Sequence, residues 1–146
     1  MIKKIQTLLT TAVLLFGMGG SSFADFNDGF DAYNKGDYKT AFNEWKSLAE
    51  QGDADAQDKL GLMYENGRGT LKDYKESFKW YHKAAEQGNP SAQQYLGFLY
   101  ASGYVVTKDL TKAKYWTKKA YDNPNVTLDT LILIEMLWDA HKLWKY

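Results

Sequence analysis

The string Ala-Glu-Gln-Gly stands at 49–52 and again at 85–88. The same offset of 36 carries Ala56-Gln57 onto Ala92-Gln93, Leu60-Gly61 onto Leu96-Gly97 and Tyr64 onto Tyr100. It also carries Gly67 onto Gly103, Asp73 onto Asp109, Trp80 onto Trp116 and Lys83-Ala84 onto Lys119-Ala120. Matches spread over a whole unit at one spacing mean that the chain repeats one supersecondary piece. Such a piece cannot bury its apolar face alone, so the copies must stack.

Each copy reads as a helical hairpin. The first helix covers roughly 54 to 65 and then 91 to 102, with Ala56, Leu60, Gly61 and Tyr64 making one face at three-and-four spacing. Asn66-Gly67 and Ser102-Gly103 end these helices, because glycine enters the left-handed region without penalty. After a short loop, Asp73 and Asp109 stand where an N-cap accepts the free amides of a second helix. That helix carries Tyr74, Ser77, Phe78, Tyr81, Ala84 and Ala85 on one side. It stops at Gly88, and Asn89-Pro90 restarts the chain.

An earlier unit spans about 26–53, ahead of units at about 54–89 and 90–124. Its second helix keeps register through Asp37, Tyr38 and Phe42. Pairing Tyr33 with Tyr64 leaves its loop five residues short and sets Asp28 against Lys59 and Asp31 against Leu62. After Pro124-Asn125 a last helix, about 127–145, carries Leu128, Leu131, Ile132, Leu133, Ile134, Leu137, Trp138 and Trp144. It does not match the repeat and reads as a cap on the open end of the stack. The expected fold is all-α: a short right-handed solenoid of about three hairpins plus a C-terminal capping helix, one domain over 25–146.

The pattern Ala-x-Ala-Gln-x-x-Leu-Gly-x-x-Tyr-x-x-Gly, then Asp, then Trp-x-x-Lys-Ala-Ala-x-Gln-Gly resembles the Sel1-like repeat, a relative of the tetratricopeptide repeat. It stands here from Ala54 to Gly88 and, less perfectly, from Ser91 to Ala120. The third unit departs from it at Lys114, Thr117 and Tyr121, which points to different packing there, against the cap.

Residues 1–24 read as a cleaved secretory leader. Lys3 and Lys4 precede an apolar run from Ile5 to Phe16, and Ser22-Phe23-Ala24 places small residues at the −3 and −1 positions. The run is short for a membrane span. Cleavage after Ala24 removes two lysines and turns the neutral chain into one of net charge −2. The expected location is periplasmic or secreted, in a bacterium, with no integral membrane span left after cleavage.

Chemistry is sparse. With no cysteine there is no disulfide, thiolate metal site or cysteine nucleophile. No His pair has metal-ligand spacing, no Gly-x-Ser-x-Gly elbow occurs, and Gly67-Arg68-Gly69 lacks the Gly-Lys-Ser/Thr of a phosphate loop. Without a basic excess, nucleic acid is not an expected partner. His82 takes the place of Lys46 and Lys118 and so reads as a surface residue; His141 reads as a boundary residue beside Trp138. The expectation is no enzyme, no cofactor and no metal.

The resemblance implies that first helices line a concave face. Outside the framework of those helices, Asp58 becomes Gln94, Lys59 becomes Tyr95 and Leu62 becomes Phe98. These six are the candidate contacts for a protein or peptide partner, with Leu62, Tyr95 and Phe98 as apolar anchors. Phe98 and Leu62 equally suit packing against the next helix. Alternative readings are an immunity protein that neutralises a periplasmic antibacterial toxin, a hydrolase of β-lactam or cell-wall substrates, or a subunit that oligomerises through its last helix.

Overall fold

The computed structural model describes residues 25–145; residues 1–24, read above as a leader, lie outside them. Among the described residues seven α-helices run in order: α1 (Phe26–Asn34), α2 (Tyr38–Glu50), α3 (Ala54–Asn66), α4 (Tyr74–Glu86), α5 (Pro90–Ser102), α6 (Leu110–Tyr121) and α7 (Leu128–His141), followed by a 3-10 turn, Leu143–Lys145. No strand occurs among the described residues. The all-α fold expected from the repeat is what the chain forms.

Capping sets where every helix begins. Asp25, Asp37, Asp53, Asp73, Asn89, Asp109 and Thr127 each accept a backbone N–H of the first turn. Each such cap contributes about 1 kcal/mol over alanine. Gly67 and Gly103 end α3 and α5 at φ of 66° and 72°, a conformation that disfavours any residue with a Cβ. The loop then closes through one bond repeated in both units, Asp73 N–H to Tyr64 O and Asp109 N–H to Tyr100 O, each 2.9 Å.

Packing joins each helix to its chain neighbours, and the core divides at the seams. Ala41, Trp45 and Ala49 of α2 meet Ala56, Leu60 and Met63 of α3. One unit on, Tyr81, Ala84 and Ala85 meet Ala92, Leu96 and Leu99. At the last seam Ala101 and Ala113 meet Leu137 and Leu143. The recurring glutamine has a role here. Gln57 Nε2 donates to Ala49 O and Gln93 Nε2 to Ala85 O, both at 3.0 Å, so each buried side chain satisfies the end of the preceding helix.

The structure corrects two registers. In the first unit Gly29 admits Trp45 of the second helix as Gly61 admits Tyr81 and Gly97 admits Thr117. Ala32 is therefore the counterpart of Tyr64, and the loop is four residues short rather than five. Asp28 and Asp31 take the positions of Leu60 and Met63, not of Lys59 and Leu62. Those positions pack on a preceding unit elsewhere; in α1 they face solvent, and charge replaces hydrocarbon.

The second correction concerns the last helix, which does follow the repeat at an offset of 38. Thr127, Thr130, Ile134, Leu137 and Trp138 repeat Asn89, Ala92, Leu96, Leu99 and Tyr100, and α7 packs on both α5 and α6. It keeps the register of a first helix but packs evenly on α5 and α6, and so closes the stack as the expected cap. Glu135 stands where Gly61 and Gly97 admit a partner helix. The departures in the third unit serve this seam. Thr117 Oγ1 accepts from Trp138 Nε1 at 2.6 Å, and Tyr121 stacks on Trp138 at 5.3 Å between ring centres.

Candidate functional site

The corrected registers turn six candidate residues into three columns that cross four helices. Phe26, Asp58, Gln94 and Ile132 share one position of α1, α3, α5 and α7. Asn27, Lys59, Tyr95 and Leu133 share the next. Phe30, Leu62, Phe98 and Met136 share the third. A cavity of about 640 Å³ is lined by residues of all four helices and the turns before them, among them Phe26, Asp58, Lys59, Ser91 and Thr130. First helices thus face a common groove.

The third column is apolar in every unit and open to water in most. Phe30 is 47% exposed, Phe98 42% and Met136 63%; Leu62 is half-buried against the second core cluster. Both readings of the anchor pair are therefore realised, one by each residue: Phe98 is open and Leu62 packs. Phe30 and Met136 escaped the sequence reading, which took Ile132 and Leu133 only as part of the apolar surface of the cap. Their signal was the 38-residue offset of α7 and the four-residue deletion in the first unit.

A second cavity, about 390 Å³, lies between α3 and α5 and is lined by Asp58, Lys59, Leu62, Glu65, Tyr81 and Tyr95, with Gln94 at its edge. The Tyr81 and Tyr95 rings meet at a tilt, 4.4 Å between centres, and Tyr95 lies 5.9 Å from Phe98. Glu65 ties the rings down. Its Oε2 accepts from the Tyr81 hydroxyl at 3.2 Å and its Oε1 from the Tyr95 hydroxyl. Burial first, and then nearby carboxylates, push both phenols far above their ordinary value, so both stay protonated donors.

Asp58 departs from the surface role expected of it. It is 4% exposed, because neighbouring helix starts close over its short side chain. Its Oδ2 accepts from Lys59 Nζ at 3.1 Å; its buried Oδ1 has no hydrogen-bond partner. Burial raises its carboxyl above the usual carboxylate range, against the pull of Lys59 and the Ser91 hydroxyl.

His82 sits on the other side of the hairpin. It is half-covered rather than freely solvated, 5.8 Å from the Phe78 ring and 5.6 Å from Trp116, with Nδ1 3.5 Å from Glu86. His141 is half-buried, its Nδ1 3.3 Å from Leu137 O. Arg68 of the glycine-flanked loop reaches back to the first unit, over the Tyr33 and Tyr38 rings at 5.3 and 5.2 Å. That loop is an inter-unit clasp. Among the described residues, no group of three or more His, Cys, Asp or Glu is placed to hold a metal ion, and no helix is long and apolar enough to cross a membrane.

These features have counterparts in known proteins. The Sel1 repeat family matches residues 54–89 and 90–125. A Sel1 repeat protein from Oxalobacter formigenes superposes with a TM-score of 0.71 at 31% identity, over 94% of this chain and 60% of that one. A protective antigen present in uropathogenic Escherichia coli strains, displaying an SLR fold, superposes with a TM-score of 0.61 at 27% identity, over 86% of this chain and 32% of that one. The chain thus spans less than two thirds of either relative. No curated protein sequence matches it. With two units of the family pattern in tandem and the same helical stack in its structural neighbours, this chain carries two Sel1 repeats, at 54–89 and 90–125, and has the fold of Sel1 repeat proteins.

Proposed function

We propose that the protein is an interaction module, periplasmic or secreted from a bacterium, that holds a protein or peptide partner along the groove of its first helices. One observation carries this reading. Phe30, Leu62, Phe98 and Met136 form an apolar column across four helices, three of its members largely open to water. Monomeric proteins rarely leave such a stripe uncovered without a use for it. Because each residue sits on a separate, well-capped helix, the surface is preformed, and binding costs little reordering. The repeat framework supplies shape and the variable positions supply recognition, so fold and specificity reside in different residues.

The test is capture of partners from envelope extract by the tagged protein, compared with Phe98→Glu, Met136→Glu and a second-helix control, Lys118→Glu. The two groove variants lose a partner that the control keeps. A partner retained by both groove variants refutes the reading. Location is tested separately, by fractionation and N-terminal sequencing of the mature chain; an N-terminus other than Asp25 or a cytoplasmic product refutes that part. The apolar side chains of α7, Leu128, Ile132, Leu133 and Met136, favour a second reading, self-association. A mass that rises with concentration in light scattering and falls with Met136→Glu supports it.

A further inference from the structure

The cavity between α3 and α5 holds more negative than positive charge. Asp58 and Glu65 bring two carboxylates and Lys59 one ammonium, while the two phenols remain neutral. One carboxylate oxygen, Asp58 Oδ1, is buried with no donor. Its uncompensated charge favours a cation in the adjoining cavity, while the oxygen itself is closed to direct contact. The half-buried Tyr95 ring, tilted on the buried Tyr81, adds aromatic surface to the wall beside the carboxylates, which suits a cation.

The wider charge pattern agrees. Helices α1, α3, α5 and α7 carry seven acidic charges in excess, with Lys59 their one base. Helices α2, α4 and α6 carry five basic charges in excess. The first-helix layer is therefore acidic and the second-helix layer basic; Asp28, Asp31 and Glu135 lie at the ends of the stack, and Asp55, Asp58 and Glu65 are the acids that line the groove cavities. Apolar surface adjoins the anionic pocket directly, since Leu62 lines it and Phe98 packs beside Tyr95.

We propose that this pocket receives a Lys or Arg side chain of the partner, and that the bulky apolar residues flanking that cation lie on the Phe30–Leu62–Phe98–Met136 column. The inference rests on the groove being the docking surface and adds the chemistry of what docks. Neighbouring packed helices are about 10 Å apart, and an extended chain advances about 3.3 Å per residue. A cation at the α3–α5 pocket and an apolar anchor one unit further along are then about three residues apart in an extended segment.

The probe is a random hexapeptide library selected on the immobilised protein at physiological salt, run in parallel on Glu65→Gln and Asp58→Asn. Glu65→Gln keeps an acceptor for one phenol and presents an N–H donor to the oxygen of the other, and thermal melting reports whether each variant is folded. The parent enriches peptides with Lys or Arg at one position and bulky apolar residues beside it. In the variants the cationic enrichment drops about tenfold, as expected for loss of a charge-assisted hydrogen bond, while the apolar enrichment persists. If Asp58→Asn does not fold, Glu65→Gln alone decides. Apolar enrichment with no cationic preference overturns the pocket assignment and leaves the groove reading intact. Cationic enrichment that survives substitution also overturns it, reducing the effect to general charge. No enrichment of any class removes both readings together.

Discussion

Gly97 is where the third hairpin closes, and replacing it with alanine tests the stacking directly. A methyl built there overlaps Thr117 Cγ2 and comes within 3.1 Å of Ala113 O and 3.3 Å of Thr117 N. Two of these atoms are backbone and cannot swing aside. Thr117 cannot rotate freely either: its Oγ1 donates to Ala113 O at 2.9 Å and accepts from Trp138 Nε1 at 2.6 Å. Helix propensity alone favours alanine over glycine by about 1 kcal/mol. Overpacking a tight contact costs about 1–3 kcal/mol, and losing the Trp138 bond adds about 1 kcal/mol. The net expectation for Gly97→Ala is a loss of about 1–3 kcal/mol. At about 4 °C per kcal/mol for a chain of this size, Tm falls by roughly 4–12 °C.

Urea and thermal unfolding followed by far-UV circular dichroism measure this loss, and tryptophan fluorescence reports the Trp138 seam. The second mutation is Thr117→Ser, which deletes the offending methyl and keeps the hydroxyl. In the Gly97→Ala background it recovers part of the loss, although alone it costs stability by removing a buried methyl. Alanine at 97 as stable as glycine, or a double mutant no better than the additive sum, would refute the argument that α5 and α6 meet at this distance.

Other perturbations follow from the same packing. Leu96→Ala empties a fully buried position at the α4–α5 seam and is expected to cost about 2–5 kcal/mol in urea unfolding. Trp138→Phe keeps most of the ring at the last seam but removes the donor to Thr117; a loss of about 1 kcal/mol is expected, with α7 amides exchanging faster than those of α3. Asp58 contributes a pH dependence of definite sign. Burial holds its folded value above 3.8, so the native state binds that proton more tightly than the unfolded chain. Its contribution to stability therefore falls as pH rises from the unfolded value through the folded one. Urea unfolding across the acid range should show the parent losing ground to Asp58→Asn as pH rises; a difference that does not vary with pH excludes this account.

The periodicity carried much of the fold into the primary structure. An offset of 36, acidic N-caps at Asp73 and Asp109 and glycines at 67 and 103 are local chemistry, since capping and left-handed turns depend on a few adjacent residues. They placed the helices of the second and third units to within a residue or two. The six candidate positions were legible for the same reason: framework residues recur and groove residues vary. What stayed hidden depends on neighbours distant in the chain. Asp58 reads as a surface acid by type, yet the start of α5 covers it. The last helix reads as foreign because Glu135 replaces the repeat's glycine, and that glycine is required only where another helix approaches. Phe30 and Met136 joined the groove once the approach of Trp45 to Gly29 fixed the first register and the seam with α5 and α6 fixed the last. Local sequence chose the helices, because a helix is decided within a few turns of chain; tertiary contact chose which of their faces meet, because burial belongs to the stack and not to any one segment.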